Sequence, residues 1–239
     1  MAPRLRVCSV GPVHSSTLAA HLERAGHSVF GLAEPQDIGG ADLVLLDADD
    51  PEWVRGNVGK LVPFIRRRQM FVHSCLGEGV QLLDDAELEG AVVMAAHNVF
   101  GSYWVTSAAD EMGETIIGLL IGEAGGVSLP IDDAQRPRIM AAGRLRALET
   151  VLRWDAFELL RSALPDADAF VAEYLGAHPD DVPPGALPAA ELERAYASIE
   201  DPSVARLFVD LERRQAERAE NLEAELWAMS KTDMRKDGE

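Results

Sequence analysis

The chain has 239 residues, of which 47% are hydrophobic and 6% aromatic, which is enough apolar material for the core of one large or two small globular domains. The formal net charge of -18 at pH 7 disfavours nucleic acids and anionic membranes as partners, because phosphate groups are bound by positively charged surfaces. No apolar run has the length of a membrane span and no signal-peptide pattern opens the chain, so we expect a cytoplasmic protein. The two cysteines, Cys8 and Cys75, have no Cys-x-x-Cys spacing, so neither a disulfide framework nor a metal site is predicted.

The segment from Leu5 to Leu32 has the pattern of a strand, a tight turn, a helix and a second strand. Apolar residues form the first strand, Gly11 breaks it, and apolar residues then recur at helical spacing as far as Gly26. This is the order of the first βαβ unit of a dinucleotide-binding fold, in which the helix points its N-terminus at a pyrophosphate. The sequence therefore predicts that the phosphates of a cofactor lie at the turn after the first strand.

The glycine fingerprint of that turn is incomplete. A G-x-G-x-x-G motif would begin at Gly11, but Val13 and Ser16 occupy its second and third glycine positions, and a valine side chain obstructs the approach of the backbone to a phosphate. Hydroxyl groups in the turn could donate hydrogen bonds instead. The acidic residue expected to hold the ribose is displaced by one position, to Glu34. The predicted cofactor-binding residues are Gly11, Pro12, Val13, His14, Ser15, Ser16 and Glu34.

Two interpretations of this turn stay open. Either it binds NAD or NADP weakly, or the chain keeps the Rossmann shape and has lost or altered the ligand. Within the first interpretation Glu34 disfavours NADP, because its carboxylate would repel the 2′-phosphate. His14 could donate a hydrogen bond to a phosphate or fill the phosphate's place.

Strands and helices alternate along the next hundred residues, which predicts a mainly parallel sheet with right-handed crossovers. Asp50 before Pro51 predicts a helix cap. Asp47, Asp49 and Asp50 lack a metal-ligand spacing and are interpreted as a cap and an exposed turn. Further strands are predicted over 41–47, 70–75, 92–96, 103–107 and 127–131, and helices over 50–68, around 80–83 and over 110–123.

The pattern changes at Asp132, after which no strand pattern occurs. We predict an α/β fold with an N-terminal Rossmann-like, mainly parallel sheet over 1–131, an all-α C-terminal domain over 132–230 and a disordered tail over 231–239. Two of the helical segments carry apolar stripes that one sheet face does not cover, which predicts a homodimer through the helices. The predicted helices span 137–163, 166–175, 189–199 and 201–229, with a proline-rich loop over 178–188.

Four sequence pieces in this order resemble the 6-phosphogluconate-dehydrogenase-like superfamily, and within it the prephenate dehydrogenases and the pyrroline-5-carboxylate-reductase-like oxidoreductases with a helical C-terminal domain. They are Ala25-Gly26-His27, His73-Ser74-Cys75, Ala96-His97-Asn98, and the run from Trp104 to Gly126. The resemblance covers about residues 4–163. The chain departs from the family where Asn98 replaces a proline, where a second histidine is missing near Arg144, and where no lysine lies between Lys60 and Lys231.

The resemblance implies that His97 is the hydrogen-bonding partner of the reacting hydroxyl group and that Ser74 contacts the substrate or the nicotinamide. Both follow buried strands, and ligands of open α/β sheets bind at the carboxyl ends of strands. His73, inside a strand, is predicted to point into the packing. Asn98, Arg144 and Arg146 are the predicted substrate contacts; an arginine could hold a carboxylate, and the alternative for the arginines is a solvated helix face.

The implied function is an NAD(P)-dependent oxidoreductase for a small keto acid, hydroxy acid or imine, with its site between the carboxyl ends of the strands and the helical domain. The alternative is a Rossmann-fold protein with a degenerate cofactor site that acts as an accessory or partner-binding protein, or that catalyses non-redox chemistry. Val13, Ala33, Glu34 and the missing second histidine favour the alternative. His97 and Ser74 favour the oxidoreductase.

Overall fold

The computed structural model describes residues 4–11, 17–164, 166, 169, 173, 185 and 187–233. The chain divides into two compact units, Met1–Arg136 and Pro137–Glu239. No helix formed by these described residues is both long and apolar enough to cross a membrane.

The first unit contains a seven-stranded sheet with the spatial order β2-β1-β3-β4-β5-β6-β7. The strands are β1 (Arg6–Val10), β2 (Ser28–Gly31), β3 (Leu43–Leu46), β4 (Met70–His73), β5 (Val92–Phe100), β6 (Tyr103–Ala108) and β7 (Val127–Pro130). Neighbouring strands are parallel except β5 and β6, which form an antiparallel hairpin. The predicted α/β fold with a mainly parallel sheet is therefore confirmed.

The order of the strands fixes the topological switch point of the sheet. From β1 the chain runs to β2 on one side, and it then returns to β3 on the other side of β1. In open α/β sheets the crevice outside the carboxyl ends of two such strands is where ligands bind. Here that crevice lies beyond Val10 and Leu46, which are register partners.

Helices cover both faces of the sheet because side chains alternate along each buried strand. The helices of this unit are α1 (Leu18–Arg24), α2 (Pro51–Leu61), α3 (Asp84–Leu88) and α4 (Glu111–Glu123). On β1, Cys8 and Val10 belong to the core that α2 completes, whereas Val7 belongs to the core that α1 and α4 complete. The predicted cap is confirmed, since Asp50 Oδ1 accepts a hydrogen bond of 3.0 Å from the Trp53 backbone N–H.

The described residues of the second unit form helices. These are α5 (Arg136–Ala147, whose first residue belongs to the first unit), α6 (Glu149–Ala163), α7 (Ala189–Ala197), α8 (Pro202–Arg218) and α9 (Leu222–Asp233). Phe208 of α8 and Trp227 of α9 meet edge to face in a core that also contains Leu192. Gln215, which interrupts the apolar stripe of α8 in the sequence, is itself buried.

Several predicted helix boundaries were wrong. The predicted helix 137–163 is two helices, α5 and α6, which break at the fully buried Leu148. The predicted helix 201–229 also breaks, because Glu220 has a φ of 53°, which right-handed helix does not allow. The predicted helix 50–68 ends at Leu61 and continues as a 3-10 turn over Val62–Phe64.

The predictions for the C-terminal tail and for the proline-rich loop can be compared with the structure only in part. Helix α9 continues to Asp233, so the predicted disorder was wrong for 231–233, whereas 234–239 lie outside the described residues. The predicted helix 166–175 and the predicted loop 178–188 also lie mostly outside the described residues.

Candidate functional site

His97 lies inside a strand rather than at its end. The sequence predicts a strand that stops at Ala96, but β5 continues to Phe100 because β6 pairs with it, with His97 opposite Val105. The parallel neighbour β4 is shorter, and its last residue, His73, is the register partner of Ala95. His97 therefore lies beyond the carboxyl end of β4, at the edge of the sheet where a ligand can bind.

The structure brings His97 and Ser74 together. The Nδ1 atom of the half-buried His97 ring lies 2.7 Å from the Ser74 carbonyl oxygen. Because a carbonyl oxygen only accepts, Nδ1 carries the hydrogen, and the neutral ring keeps its lone pair on Nε2. Within the described part of the chain, Nε2 has no hydrogen-bond partner. The arrangement therefore leaves Nε2 as a proton acceptor.

His73 has a structural role in holding the turn after β4. It is buried, its Nδ1 accepts a hydrogen bond of 3.2 Å from the Cys75 backbone N–H, and its Nε2 donates one of 3.0 Å to the Gly79 carbonyl. Burial lowers the pKa of His73 to about 4, and the positive charge of Arg136 contributes to the shift. His73 is thus neutral at pH 7 and packs into the interior as predicted.

Arg136 is the main residue of this region that the sequence analysis missed. Its side chain is only 4% exposed, and it makes three contacts: Nε donates to Asp133 Oδ1 at 2.8 Å, Nη1 to the Leu76 carbonyl at 3.2 Å, and Nη2 to Ser107 Oγ at 2.6 Å. Arg136 thereby ties the turn after β4 to the end of β6 and to the 3-10 turn Asp133–Gln135. The only local signal was the three-residue spacing from Asp133, which is common on exposed helix faces.

The turn held by Arg136 is closely packed. A Cβ atom added to the buried Gly79 would overlap the side chains of Asp133 and Gln81. Leu76, three residues before Gly79, donates its backbone N–H to Asp49 Oδ1 at 2.8 Å. The turn that carries the Ser74 carbonyl is therefore fixed from both sides, which holds His97 in one ring orientation.

Two of the residues predicted to contact the substrate, Asn98 and Arg144, form hydrogen bonds within the protein. Asn98 Nδ2 donates to the Gly101 carbonyl at 2.9 Å and so holds the β5–β6 turn. Arg144 forms a buried bidentate pair with Glu212, with bonds of 2.5 and 2.8 Å, and also donates to the Gly185 carbonyl at 2.6 Å. These contacts favour structural roles, and the substrate roles stay predictions. Arg146 is exposed on α5.

The residues predicted to bind the cofactor are partly described. Gly11 has a φ of 105°, which favours glycine, and Pro12 to Ser16 lie outside the described residues. Glu34 is exposed and shares a reciprocal capping box with Asp37, whose Oδ2 accepts the Glu34 backbone N–H at 2.9 Å. A capping carboxylate keeps acceptor capacity for a ribose hydroxyl. The cofactor-binding roles of Gly11, at the phosphates, and of Glu34, at the ribose, stay predictions.

A metal site and a small-molecule pocket are the other kinds of site to consider in this unit. The described residues contain no group of three or more His, Cys, Asp or Glu side chains that could hold a metal ion. A pocket of about 210 Å³ lies at the carboxyl ends of β6 and β7 and includes Ser107, the hydroxyl partner of Arg136. Its volume suits a small molecule.

Residues 132–231 match the family described as 6-phosphogluconate dehydrogenase C-terminal domain-like. No curated protein sequence matches the chain. Among solved structures, prephenate dehydrogenase from Aquifex aeolicus is similar, with 14% identity and a TM-score of 0.56 over 97% of this chain and 99% of that one. In complex with hydroxyphenyl propionate and NAD+, the Aquifex enzyme gives 13% identity and a TM-score of 0.50 over 100% and 93%.

A second enzyme has the same fold. It is 3-hydroxyisobutyrate dehydrogenase from Mycobacterium tuberculosis with L-serine, which has 14% identity and a TM-score of 0.54 over 98% of this chain and 95% of that one. At these identities the likeness shows a shared fold. Together with the family match, it confirms the predicted resemblance to the 6-phosphogluconate-dehydrogenase-like superfamily.

Proposed function

We propose that this chain, which resembles the 6-phosphogluconate-dehydrogenase-like superfamily, is an NAD(P)-dependent oxidoreductase that acts on a small keto acid, hydroxy acid or imine. The observation that carries the proposal is the 2.7 Å hydrogen bond from His97 Nδ1 to the Ser74 carbonyl. It selects the tautomer with a free lone pair on Nε2, which is the form that a general base requires.

His97 would handle the proton that accompanies the hydride. The hydride would be accepted or supplied by a nicotinamide, the chemistry that a bound cofactor would provide at this site. As the hydride leaves the carbinol carbon of the substrate, the hydroxyl proton passes to His97 Nε2, and the C–O bond becomes a carbonyl. The Nδ1–H group keeps its hydrogen bond to the Ser74 carbonyl throughout. The imidazole ring therefore does not rotate during the forward or the reverse reaction. In the reverse direction the same Nε2 returns the proton to the oxygen.

The structural neighbours support the class of substrate and cofactor by analogy. The Aquifex enzyme binds hydroxyphenyl propionate with NAD+, and the Mycobacterium enzyme binds L-serine, so both ligands are small carboxylates. For this chain we propose a carboxylate or cyclic imine as substrate and NAD in preference to NADP, because the exposed Glu34 would repel a 2′-phosphate. Ser74 is the proposed further contact to the substrate or nicotinamide.

The test is the exchange of His97 for Asn on whichever keto acid or cyclic imine a screen returns. Asn keeps hydrogen-bonding capacity but exchanges no proton near neutral pH, so kcat should fall on the order of 10² to 10⁴-fold with the circular dichroism spectrum unchanged. Ser74→Ala should weaken substrate binding by about 1 kcal/mol. His21→Asn is the matched control, because the Nδ1 atom of His21, in α1, also lies against a carbonyl, that of Ala124 after α4, at 3.4 Å.

The accessory-protein alternative keeps one specific observation in its favour, which is Val13 in the second glycine position. The two functions differ in nucleotide binding. Calorimetry should give weak NADH binding, at least as tight as that of NADPH. An unchanged rate in the His97→Asn variant would remove the catalytic assignment, and the absence of both turnover and nucleotide binding would favour the accessory protein.

A further inference from the structure

The Trp53 indole lies against Gly11, the residue that follows β1. A Cβ atom added to Gly11, which follows β1, would lie 3.2 Å from Cη2 of the Trp53 indole. The same position is 3.4 Å from the carbonyl oxygen of Asp47, which follows β3. The indole ring therefore lies against the first glycine of the predicted cofactor turn, beside the end of β3.

This place is the topological switch point of the sheet. The chain leaves β1 for β2 on one side and returns to β3 on the other, and the crevice outside such a pair of strands is the general ligand position in this class of fold. Trp53 is half-buried at this crevice and packs against the core that α2 completes. An aromatic ring in this position offers a flat apolar surface to a ligand.

The backbone of Trp53 is held firmly in the first turn of α2. Its N–H donates to Asp50 Oδ1 at 3.0 Å, and its carbonyl accepts a hydrogen bond of 2.8 Å from Asn57 Nδ2. The neighbouring residue Val54 is fully buried in the sheet core. The helix therefore presents the indole from a rigid support, as a binding surface requires.

The adenosine half of a dinucleotide is the part that this surface fits. Helix α2 packs against the 3-10 turn that Glu34 caps, and Ile38 of that turn shares a core with Val54. Glu34 follows β2 and Trp53 lies in the helix that follows β3, so both lie beyond the carboxyl ends of strands that flank β1. The predicted ribose contact and the indole are thus neighbours in the fold.

We propose that the Trp53 indole forms the wall against which the adenine ring of the cofactor stacks; this rests on the proposed function. Stacking requires no positive charge, which suits a crevice bordered by Asp47 and Asp50 in a chain of net charge -18. It also replaces part of the binding that the phosphate turn loses where Val13 stands for a glycine. An aromatic wall and an incomplete glycine motif are therefore complementary features of one site.

The experiment is a titration of the full chain with 5′-AMP, nicotinamide mononucleotide and NADH, followed by tryptophan emission and, separately, by calorimetry. AMP does not absorb where tryptophan emits, so a change in emission reports contact. AMP should quench the emission of the unmodified chain, and nicotinamide mononucleotide should not. Trp53→Phe should lose most of the AMP quench while it binds NADH within a few-fold of the parent, since the phenyl ring still stacks.

Two further variants complete the design. Trp53→Leu keeps an apolar side chain but no ring, and it should weaken NADH binding by about tenfold or more. Trp154→Phe is the matched control, because Trp154 is 37% exposed and lies in the helical unit, and it should keep the full AMP quench. Circular dichroism of each variant establishes that it is folded.

The outcomes separate this inference from the function on which it rests. If AMP binds by calorimetry and quenches Trp53→Phe as strongly as the parent chain, the stacking role is refuted while the oxidoreductase proposal stands. If nicotinamide mononucleotide rather than AMP gives the quench that depends on Trp53, the assignment to adenine is wrong. If neither AMP nor NADH binds, both proposals fall together.

Discussion

Replacement of Glu212 by Gln should destabilise the helical unit by about 3 kcal/mol or more, because it leaves the Arg144 guanidinium buried without a counter-charge. The side chains of Arg144 and Glu212 are only 8% and 1% exposed, and the pair is bidentate with bonds of 2.5 and 2.8 Å. Loss of one partner of such a pair costs roughly 3–5 kcal/mol. Gln retains one acceptor oxygen, so the lower end of that range is expected.

Thermal unfolding followed by circular dichroism measures the effect. For a unit of this size, 1 kcal/mol shifts Tm by about 4–8 °C, so a loss of 3 kcal/mol lowers Tm by at least about 12 °C. Glu200→Gln is the matched control, since it breaks the Arg138–Glu200 pair, whose side chains are 65% and 83% exposed, and exposed pairs contribute about 0–1 kcal/mol. The double variant Arg144→Met, Glu212→Leu removes both charges and should recover most of the stability.

One result would refute this reasoning. If Glu212→Gln is as mild as Glu200→Gln, the buried pair does not form in solution. The Arg144 guanidinium would then be free for the substrate carboxylate that the sequence assigned to it, and KM for the substrate would rise in Arg144→Met.

Three more predictions concern pH, packing and assembly. His73 has a pKa of about 4 in the folded chain, below its ordinary value of 6.5, so between these pH values the unfolded chain binds one more proton than the folded chain. The free energy of unfolding should therefore fall by on the order of 3 kcal/mol as the pH drops from 6.5 to 4. Urea titrations should show that the stability of His73→Asn depends less on pH than that of the parent chain. Gly79→Ala should cost about 1–3 kcal/mol in the same assay through overlap with its neighbours, whereas Gly56→Ala, in the open middle of α2, should gain about 0.5–1 kcal/mol. Leu159 and Leu226 are 73% and 56% exposed in the helical unit, so light scattering should give twice the 25.9 kDa chain mass, and a single 25.9 kDa species at micromolar concentration would contradict the homodimer.

The class of fold and the position of most strands could be predicted from the sequence alone. Buried parallel strands are continuous apolar runs, so Leu43–Leu46 and Met70–His73 could be recognised without their neighbours. The cap at Asp50 is equally local, because its side chain bonds a backbone group three residues ahead. Residues close in the sequence make these interactions, and a pattern along the chain is sufficient to predict them.

Tertiary structure decided the features that give the candidate site its chemistry. His97 lies within β5 because β6 pairs with it, its tautomer is set by a carbonyl 23 residues away, and Arg136 is buried because Leu76, from 60 residues earlier, accepts one of its hydrogen bonds. The contact of Trp53 with Gly11 likewise depends on the neighbouring positions of β1 and β3 in the sheet. A strand's length, a ring's hydrogen bond and the burial of a charge are set by partners distant in sequence, and no local pattern records which partners those are.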